Sequence, residues 1–256
     1  MSSRLPLEIL DYIVDFLDDE PQALKDCCLV AKSRVPRARK HLFSEIKIVS
    51  LTALNAWWKV FPDSGISPGY RAHSLHLSSI DVISLVVVGG PGWIQPFFSV
   101  VRLKMRSVYE TPGSYTSSQF FKLICSLPLL DDLDIEVYWT GNDDGPVFKL
   151  RASPPLTGSL SVSLVEGIEY FARGLPALPN GFHFRKVVCT WDFEEDLLWI
   201  MALMEGCYNT LEYVEMKRDR HSSSTLVDLS KATKFKEVAF GSTNLISPGS
   251  PTRSTL

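Results

Sequence analysis

The chain has 256 residues, of which 45% are hydrophobic and 21% are charged, a balance typical of a folded protein rather than a disordered one. Its formal net charge of -3 disfavours a protein that coats nucleic acid, which would require a strongly basic surface. No apolar run approaches the ~20 residues that a membrane-spanning helix needs, so we expect no membrane association.

The cysteines indicate neither a disulfide framework nor a zinc site, because their number is odd and none has CxxC spacing. Free thiols and the lack of a signal-peptide pattern favour a cytoplasmic or nuclear protein. We expect no cofactor and no metal. The five residues are Cys27, Cys28, Cys125, Cys189 and Cys207.

The N-terminal segment has the pattern of three short helices. Pro6 suits the first turn of the first helix, and apolar residues then recur at helical spacing up to residue 17. Pro21 opens a second helix over residues 21–32, and Ser33 is a candidate N-cap for a third over residues 34–43. Three helices this small cannot bury all their apolar surface internally, so we expect a partner.

Three blocks in this order, "LPLEILDYIVDFL", "CLVAKSR" and "ARKHLF", resemble the F-box in the form that opens many fungal F-box proteins. The F-box is a three-helix module that docks substrate receptors onto the Skp1 adaptor of cullin-RING ubiquitin ligases. The resemblance covers roughly residues 4 to 46. It implies that the adaptor surface and the core of the module are formed by Leu5, Pro6, Ile9, Leu10, Ile13, Leu17, Leu29 and Val30.

The chain departs from the F-box pattern at two positions. Ala31 stands where the family usually has cysteine, and Arg34 stands where it usually has tryptophan. A decayed adaptor contact is therefore the alternative to a working one.

After residue 46, seven short apolar triplets with the pattern of strands recur 24 to 30 residues apart. Helical candidates lie between them at 117–127, 167–175 and 194–206. A repeated strand-plus-helix unit is typical of leucine-rich repeats, although a nonspecific α/β domain could produce this spacing by chance. The triplets are at 75–77, 103–105, 133–135, 160–162, 187–189, 214–216 and 238–240.

The predicted fold class is α/β (α+β), with a three-helix F-box module at 1–46 and an irregular leucine-rich-repeat-like α/β solenoid at 47–246. Insertions rich in Pro and Gly at 62–69, 89–96 and 141–158 predict the irregularity, and residues 247–256 have the composition of a flexible tail. The middle residues of the triplets should face solvent and form a protein-recognition surface. They include His76, Lys104, Asp134, Val188 and Glu215.

Catalytic and metal-binding patterns are weak. The glycines after residue 88 lack a phosphate-binding motif, and the acidic groups at 131–134 and 142–145 lack calcium-loop spacing. Cys189 has His183 nearby in sequence, yet no nucleophile motif flanks it, so a buried strand thiol is favoured. The basic run at 32–40 either solvates the third helix or pairs with an acidic partner.

These observations predict a noncatalytic substrate-recognition subunit of an Skp1-cullin-F-box ubiquitin ligase, whose repeat domain binds an unidentified protein target. The alternative is a stand-alone binding scaffold whose adaptor contact has decayed. An enzyme would require a pocket that gathers Cys189 or His183 with a base and oxyanion donors, which the sequence does not show.

Overall fold

The computed structural model describes residues 6–30, 32–62, 67–78, 94–106, 117–136, 152–163, 168–191, 194–218, 234 and 236–242. Within this part of the chain there are seven α-helices and one sheet of eight strands. The helices are α1 (Leu7–Asp15), α2 (Pro21–Val30), α3 (Val35–Leu42), α4 (Leu51–Val60), α5 (Ser117–Cys125), α6 (Ile168–Gly174) and α7 (Glu194–Cys207). None of the described helices is long and apolar enough to cross a membrane.

The sheet is parallel throughout, and its strands pair in the order of the chain. The strands are β1 (Glu45–Ile48), β2 (Ser74–Ser78), β3 (Arg102–Arg106), β4 (Asp132–Glu136), β5 (Ser159–Ser163), β6 (Lys186–Trp191), β7 (Tyr213–Arg218) and β8 (Glu237–Ser242). Each of the seven predicted triplets forms part of a strand, so this repeat is confirmed as a structural one.

The register of the sheet aligns equivalent positions of the repeat. The first residue of each predicted triplet pairs with the first residue of the next: Leu75 with Leu103, then Leu133, Leu160, Val187, Val214 and Val238. Neighbouring strands therefore pair in the same register along the whole repeat. A one-residue slip would turn the buried leucines and valines out to solvent.

Buried and half-exposed residues alternate along the strands. The buried positions, among them Leu103, Ile135 and Val162, join one core with apolar residues of α4 to α7. Parallel sheets usually have both faces covered and read as continuous apolar runs. Here the alternation leaves one sheet face polar and half-exposed.

The three predicted helices of the sheet domain are observed with small shifts, as α5, α6 and α7. The structure adds two elements that the sequence analysis did not predict, β1 and α4. Helix α4 begins after Ser50, whose hydroxyl accepts a hydrogen bond from the backbone N–H of Ala53 at 3.1 Å. Strand β1 spans the expected domain boundary at residue 46, because Ile46 pairs with Leu75 of β2.

The N-terminal helices form a module with its own small core. Helix α3 packs against α1 and α2, and the buried residues Val14, Leu24 and Ala38 come one from each helix. The expected cap of α3 at Ser33 is wrong, because Ser33 lies inside a 3-10 turn at Lys32–Arg34 and α3 begins at Val35.

Candidate functional site

An exposed apolar surface covers the outer side of α1. We call it the α1 surface, and it consists of Ile9, Tyr12, Ile13 and Phe16. Between 45% and 69% of each of these residues is exposed to solvent. The rings of Tyr12 and Phe16 meet edge to face with centroids 4.7 Å apart. Scattered exposed apolar residues are ordinary, but three on one short helix together with Phe16 at its C-cap form a candidate contact surface.

The α1 surface exists because this helix has two apolar sides. At about 100° per residue, Leu10 and Val14 fall on one side, whereas Ile9, Ile13 and Phe16 fall on the other. Val14 is buried and Leu10 is partly buried in the module, so the three-helix core uses only the first side. The second side packs against no other element within the part of the chain that the structure describes.

The residues expected from the F-box resemblance fall into three groups. Pro6, Ile9, Ile13, Leu29 and Val30 are exposed, with Leu29 at 86% and Val30 at 74%. Leu10 and Leu17 are partly buried, and Leu17 packs against the core of the module. Leu5 and Ala31 lie outside the described residues, as does the side chain of Arg34.

Tyr12 and Phe16 belong to the exposed surface but were not among the expected site residues. Their i, i+4 spacing was the available signal, since such pairs are neighbours on a helix. Periodicity alone placed Phe16 with the apolar residues of α1 and could not tell the inner side from the outer one.

A charged cluster fixes the orientation of α1 on α3. The carboxylate of Asp15 accepts hydrogen bonds from Arg37, with Nε 2.6 Å from Oδ1, and its second oxygen pairs with the Arg37 Nη2 group. Nε2 of His41 lies 2.7 Å from Oδ1 of the same carboxylate. The hydrogen bond from Arg37, and then that from His41, hold the pKa of Asp15 well below its usual range.

We expect Asp15→Asn to loosen α1 and lower the thermal unfolding midpoint at pH 7. Because the folded pKa of Asp15 is depressed, its contribution is complete above the unfolded pKa of about 3.9 and declines as the pH falls below it. The difference between wild type and variant should therefore shrink between pH 5 and pH 2. Asp18→Asn, at an exposed position after α1, is the control; a difference that is independent of pH would contradict this account.

The polar face of the sheet is the second candidate surface. The predicted solvent-facing residues do share one row, in which His76 pairs with Lys104, Lys104 with Asp134, and Val188 with Glu215. Ser161 fills the place between Asp134 and Val188. Burial, followed by the positive charge of Lys104, lowers the pKa of His76.

On two neighbouring strands of this face, β3 and β4, the outward side chains are sorted by charge. The three outward residues of β3 are basic and those of β4 are acidic, and they pair across the strands: Arg102 with Asp132 at 3.1 Å, Lys104 with Asp134 at 2.9 Å, and Arg106 with Glu136 at 3.2 Å. The outward residues of β5 are all serines. A shallow groove of about 530 Å³ extends over this region as far as β7.

The acidic residues 131–134, which the sequence raised as weak metal ligands, tie β4 to the entry of β5. Oδ1 of Asp132 accepts from the backbone N–H of Ser159 at 2.6 Å and from its hydroxyl at 2.7 Å. Asp131 accepts from Thr157 in the same way, at 2.6 and 2.7 Å. Burial raises the pKa of Asp132, but the bonds from Ser159 and Arg102 outweigh it and lower the pKa overall.

Asp132→Ala should therefore destabilise the fold by about 1 to 3 kcal/mol, because the two donors of Ser159 lose their acceptor. Asp134→Ala, on the same strand as Asp132, is the matched control. It removes only the solvent-facing ion pair with Lys104 of β3, which is worth about 0 to 1 kcal/mol. Urea unfolding of both variants gives the comparison. Equal losses would show that Asp132 contributes only through its charge pair.

The thiol considered for catalysis, that of Cys189, is buried. Burial raises the pKa of Cys189 to about 12, with the nearby Cys207 adding to the effect, so Cys189 is a protonated thiol near neutral pH. His183 is exposed on the segment before β6. Among the described residues, no group of three or more His, Cys, Asp and Glu side chains is placed to hold a metal ion.

Comparison with protein-family models, with curated proteins and with solved structures finds no match in any of the three. The class of the protein therefore follows from its own architecture. It is a mixed α/β protein in which a small helical module precedes a parallel sheet ordered along the chain.

Proposed function

We propose that this chain is the substrate-recognition subunit of an Skp1-cullin-F-box ubiquitin ligase. In this proposal the three-helix module is an F-box that docks an Skp1-type adaptor and, through it, a cullin. The sheet domain is an irregular leucine-rich-repeat-like solenoid that binds a protein target. The single observation that carries the proposal is the α1 surface, which is apolar, has no internal partner among the described residues and lies in the segment that resembles the F-box.

Docking through this face requires apolar area beyond the α1 surface itself. Burying the four side chains of the α1 surface would contribute roughly 6 to 12 kcal/mol, at about 1.5 to 3 kcal/mol each. Association costs an estimated 4 to 15 kcal/mol, so these four residues alone give little or no surplus. Leu29 and Val30, exposed at the end of α2, offer the additional apolar area that a stable complex needs.

The sheet domain has features suited to holding a target. Its strands repeat in register, each unit packs on its neighbours in the chain, and one face stays open to solvent with ordered charges. The chain would act by proximity, holding the target near a ubiquitin-charged enzyme whose chemistry lies on another subunit. The proposed compartment is the cytoplasm or the nucleus.

A stand-alone scaffold is the second candidate. Arg34 in place of the family tryptophan, with Ala31 in place of cysteine, favours it. In that case the α1 surface would be a remnant of an earlier contact, and the sheet domain alone would bind a partner.

Co-expression of the full chain with an Skp1 homologue, followed by size-exclusion chromatography, tests the proposal. We expect a 1:1 complex that survives dilution to micromolar concentrations. A folded chain that elutes alone would overturn the ligase proposal. If Arg34→Trp then created binding, the scaffold with a decayed adaptor contact would be the better account.

A further inference from the structure

Besides the groove on the polar face of the sheet, a cavity lies beside α3, where the helical module meets the sheet domain. It has a volume of about 570 Å³, within the ~300 to 1,000 Å³ range of ligand pockets. We call it the junction groove. Its lining includes Arg39, Phe43, Phe61, Tyr70, Arg71 and Phe98.

Aromatic rings form the apolar part of the junction groove. Tyr70 and Phe98 meet with ring centroids 5.0 Å apart, and Phe98 is exposed. The ring of Trp57 contacts both Phe43 and Phe61, with ring centroids 6.5 Å and 4.9 Å apart, respectively. Rigid aromatic surfaces of this kind receive a large apolar side chain with little loss of conformational entropy.

Two arginines supply the charge of the junction groove. Nη1 of Arg71 donates to the backbone carbonyl of Pro36 at 3.2 Å, which fixes the position of its guanidinium group beside α3. The side chain of Arg39 is exposed, and neither arginine has a carboxylate partner among the described residues. No acidic residue is among the described residues of the lining, and the two arginines place positive charge beside its apolar surface.

The junction groove is separate from the α1 surface. Arg37 and Arg39 are two residues apart on α3, about 200° around the helix, and Arg37 is already engaged by Asp15 of α1. Arg39 therefore points away from α1. A partner bound to the α1 surface would leave Arg39 and Arg71 accessible.

We propose that the junction groove binds an acidic segment of a partner protein, with one large apolar side chain against the aromatic rings and flanking carboxylates on Arg39 and Arg71. Guanidinium groups bind carboxylates through paired, charge-assisted hydrogen bonds, which a fixed Arg71 favours. This site goes beyond the proposed ligase function and does not depend on it.

The test uses the full chain and a fluorescein-labelled hexapeptide of sequence Asp-Glu-Trp-Leu-Glu-Asp, followed by fluorescence anisotropy. Two comparison peptides separate the contributions: Lys-Arg-Trp-Leu-Arg-Lys reverses the charges, and Asp-Glu-Ser-Ser-Glu-Asp removes the apolar centre. We expect the first peptide to bind at least tenfold more tightly than either. Its affinity should also fall when NaCl is raised from 0.05 to 0.5 M, because salt screens exposed charge pairs.

Protein variants locate the binding site. Arg39→Glu combined with Arg71→Glu should weaken binding at least tenfold, and Arg39→Glu alone at least threefold, with the thermal unfolding midpoint recorded for each. Phe98→Ser, at an exposed lining position, should weaken binding without unfolding the chain. Lys40→Glu, an exposed basic position on α3 outside the groove, is the control and should change binding less than twofold.

Equal binding of the acidic and charge-reversed peptides would overturn the proposal, as would the absence of any binding. Unchanged affinity in both arginine variants would do the same. Loss of binding on Ile13→Asp with Phe16→Asp would place the peptide on the α1 surface instead, which also contradicts the junction groove.

Discussion

If the chain docks an Skp1-type adaptor as proposed, replacing both Ile13 and Phe16 by aspartate should weaken that binding at least ~100-fold. Each side chain would bury an apolar surface worth about 1.5 to 3 kcal/mol, and a factor of ten in affinity corresponds to about 1.4 kcal/mol. Both side chains are exposed in the free chain, so the fold itself should change by no more than about 0.5 kcal/mol per substitution. Isothermal titration with the purified adaptor measures the effect.

Leu198→Asp is the matched control for this experiment. Leu198 is a large apolar residue on α7, and with 72% of its surface exposed it is as accessible as Phe16. It belongs to the sheet domain rather than the helical module, so adaptor affinity should stay within twofold of wild type. If Leu198→Asp weakened capture as much as the double variant, the contact would be a nonspecific apolar one.

Gly174→Ala is expected to destabilise the fold by roughly 2 to 3 kcal/mol, the cost typical of overpacking a core. A Cβ atom at Gly174 would lie 1.9 Å from Cε2 and 2.3 Å from Cζ of Phe121. That ring cannot move aside easily, because Phe121 is fully buried and stacks on Phe171 with centroids 6.1 Å apart. In an open helical site the same substitution would instead stabilise by up to about 1 kcal/mol.

A double-mutant cycle with Phe121→Leu identifies the cause of this loss. If the clash between the new methyl group and the Phe121 ring is responsible, the double variant should be at least 1 kcal/mol more stable than the sum of the single changes predicts. Guanidinium chloride unfolding of the four proteins supplies the free energies. Additivity within about 0.5 kcal/mol would assign the loss to the backbone of α6 rather than to the ring.

Most of the sheet was predictable because each repeat presents the same local pattern. The first and third residues of each triplet, such as Leu133 and Ile135, are apolar and point to the core. Because such triplets recur at similar spacing, they identify the strands even before the pairing of the strands is known. Strand β1 has the same pattern, because Ile46 and Ile48 flank Lys47 and precede the first predicted triplet at the spacing of the repeat, but this triplet was not among those predicted. Its pairing with β2 shows that Glu45–Ile48 is a strand of the sheet rather than part of the helical module.

The two apolar sides of α1 show where local pattern stops being informative. Periodicity identified Ile9, Leu10, Ile13 and Val14 as apolar helix residues but could not separate the buried side from the exposed one. The structure separates them through Asp15, whose bonds to Arg37 and His41 orient α1 on α3. Such contacts join residues more than twenty positions apart, and no spacing rule relates them.

The sequence by itself determined the local elements and their repetition: three N-terminal helices, the strand triplets, and the outward positions of residues such as Lys104 and Asp134. These depend on side-chain periodicity, which is a property of neighbouring residues. Only the tertiary structure decided the charge pairs between β3 and β4 and the junction groove. Each of these depends on which distant segments meet, because packing free energy is gained only when the whole core closes.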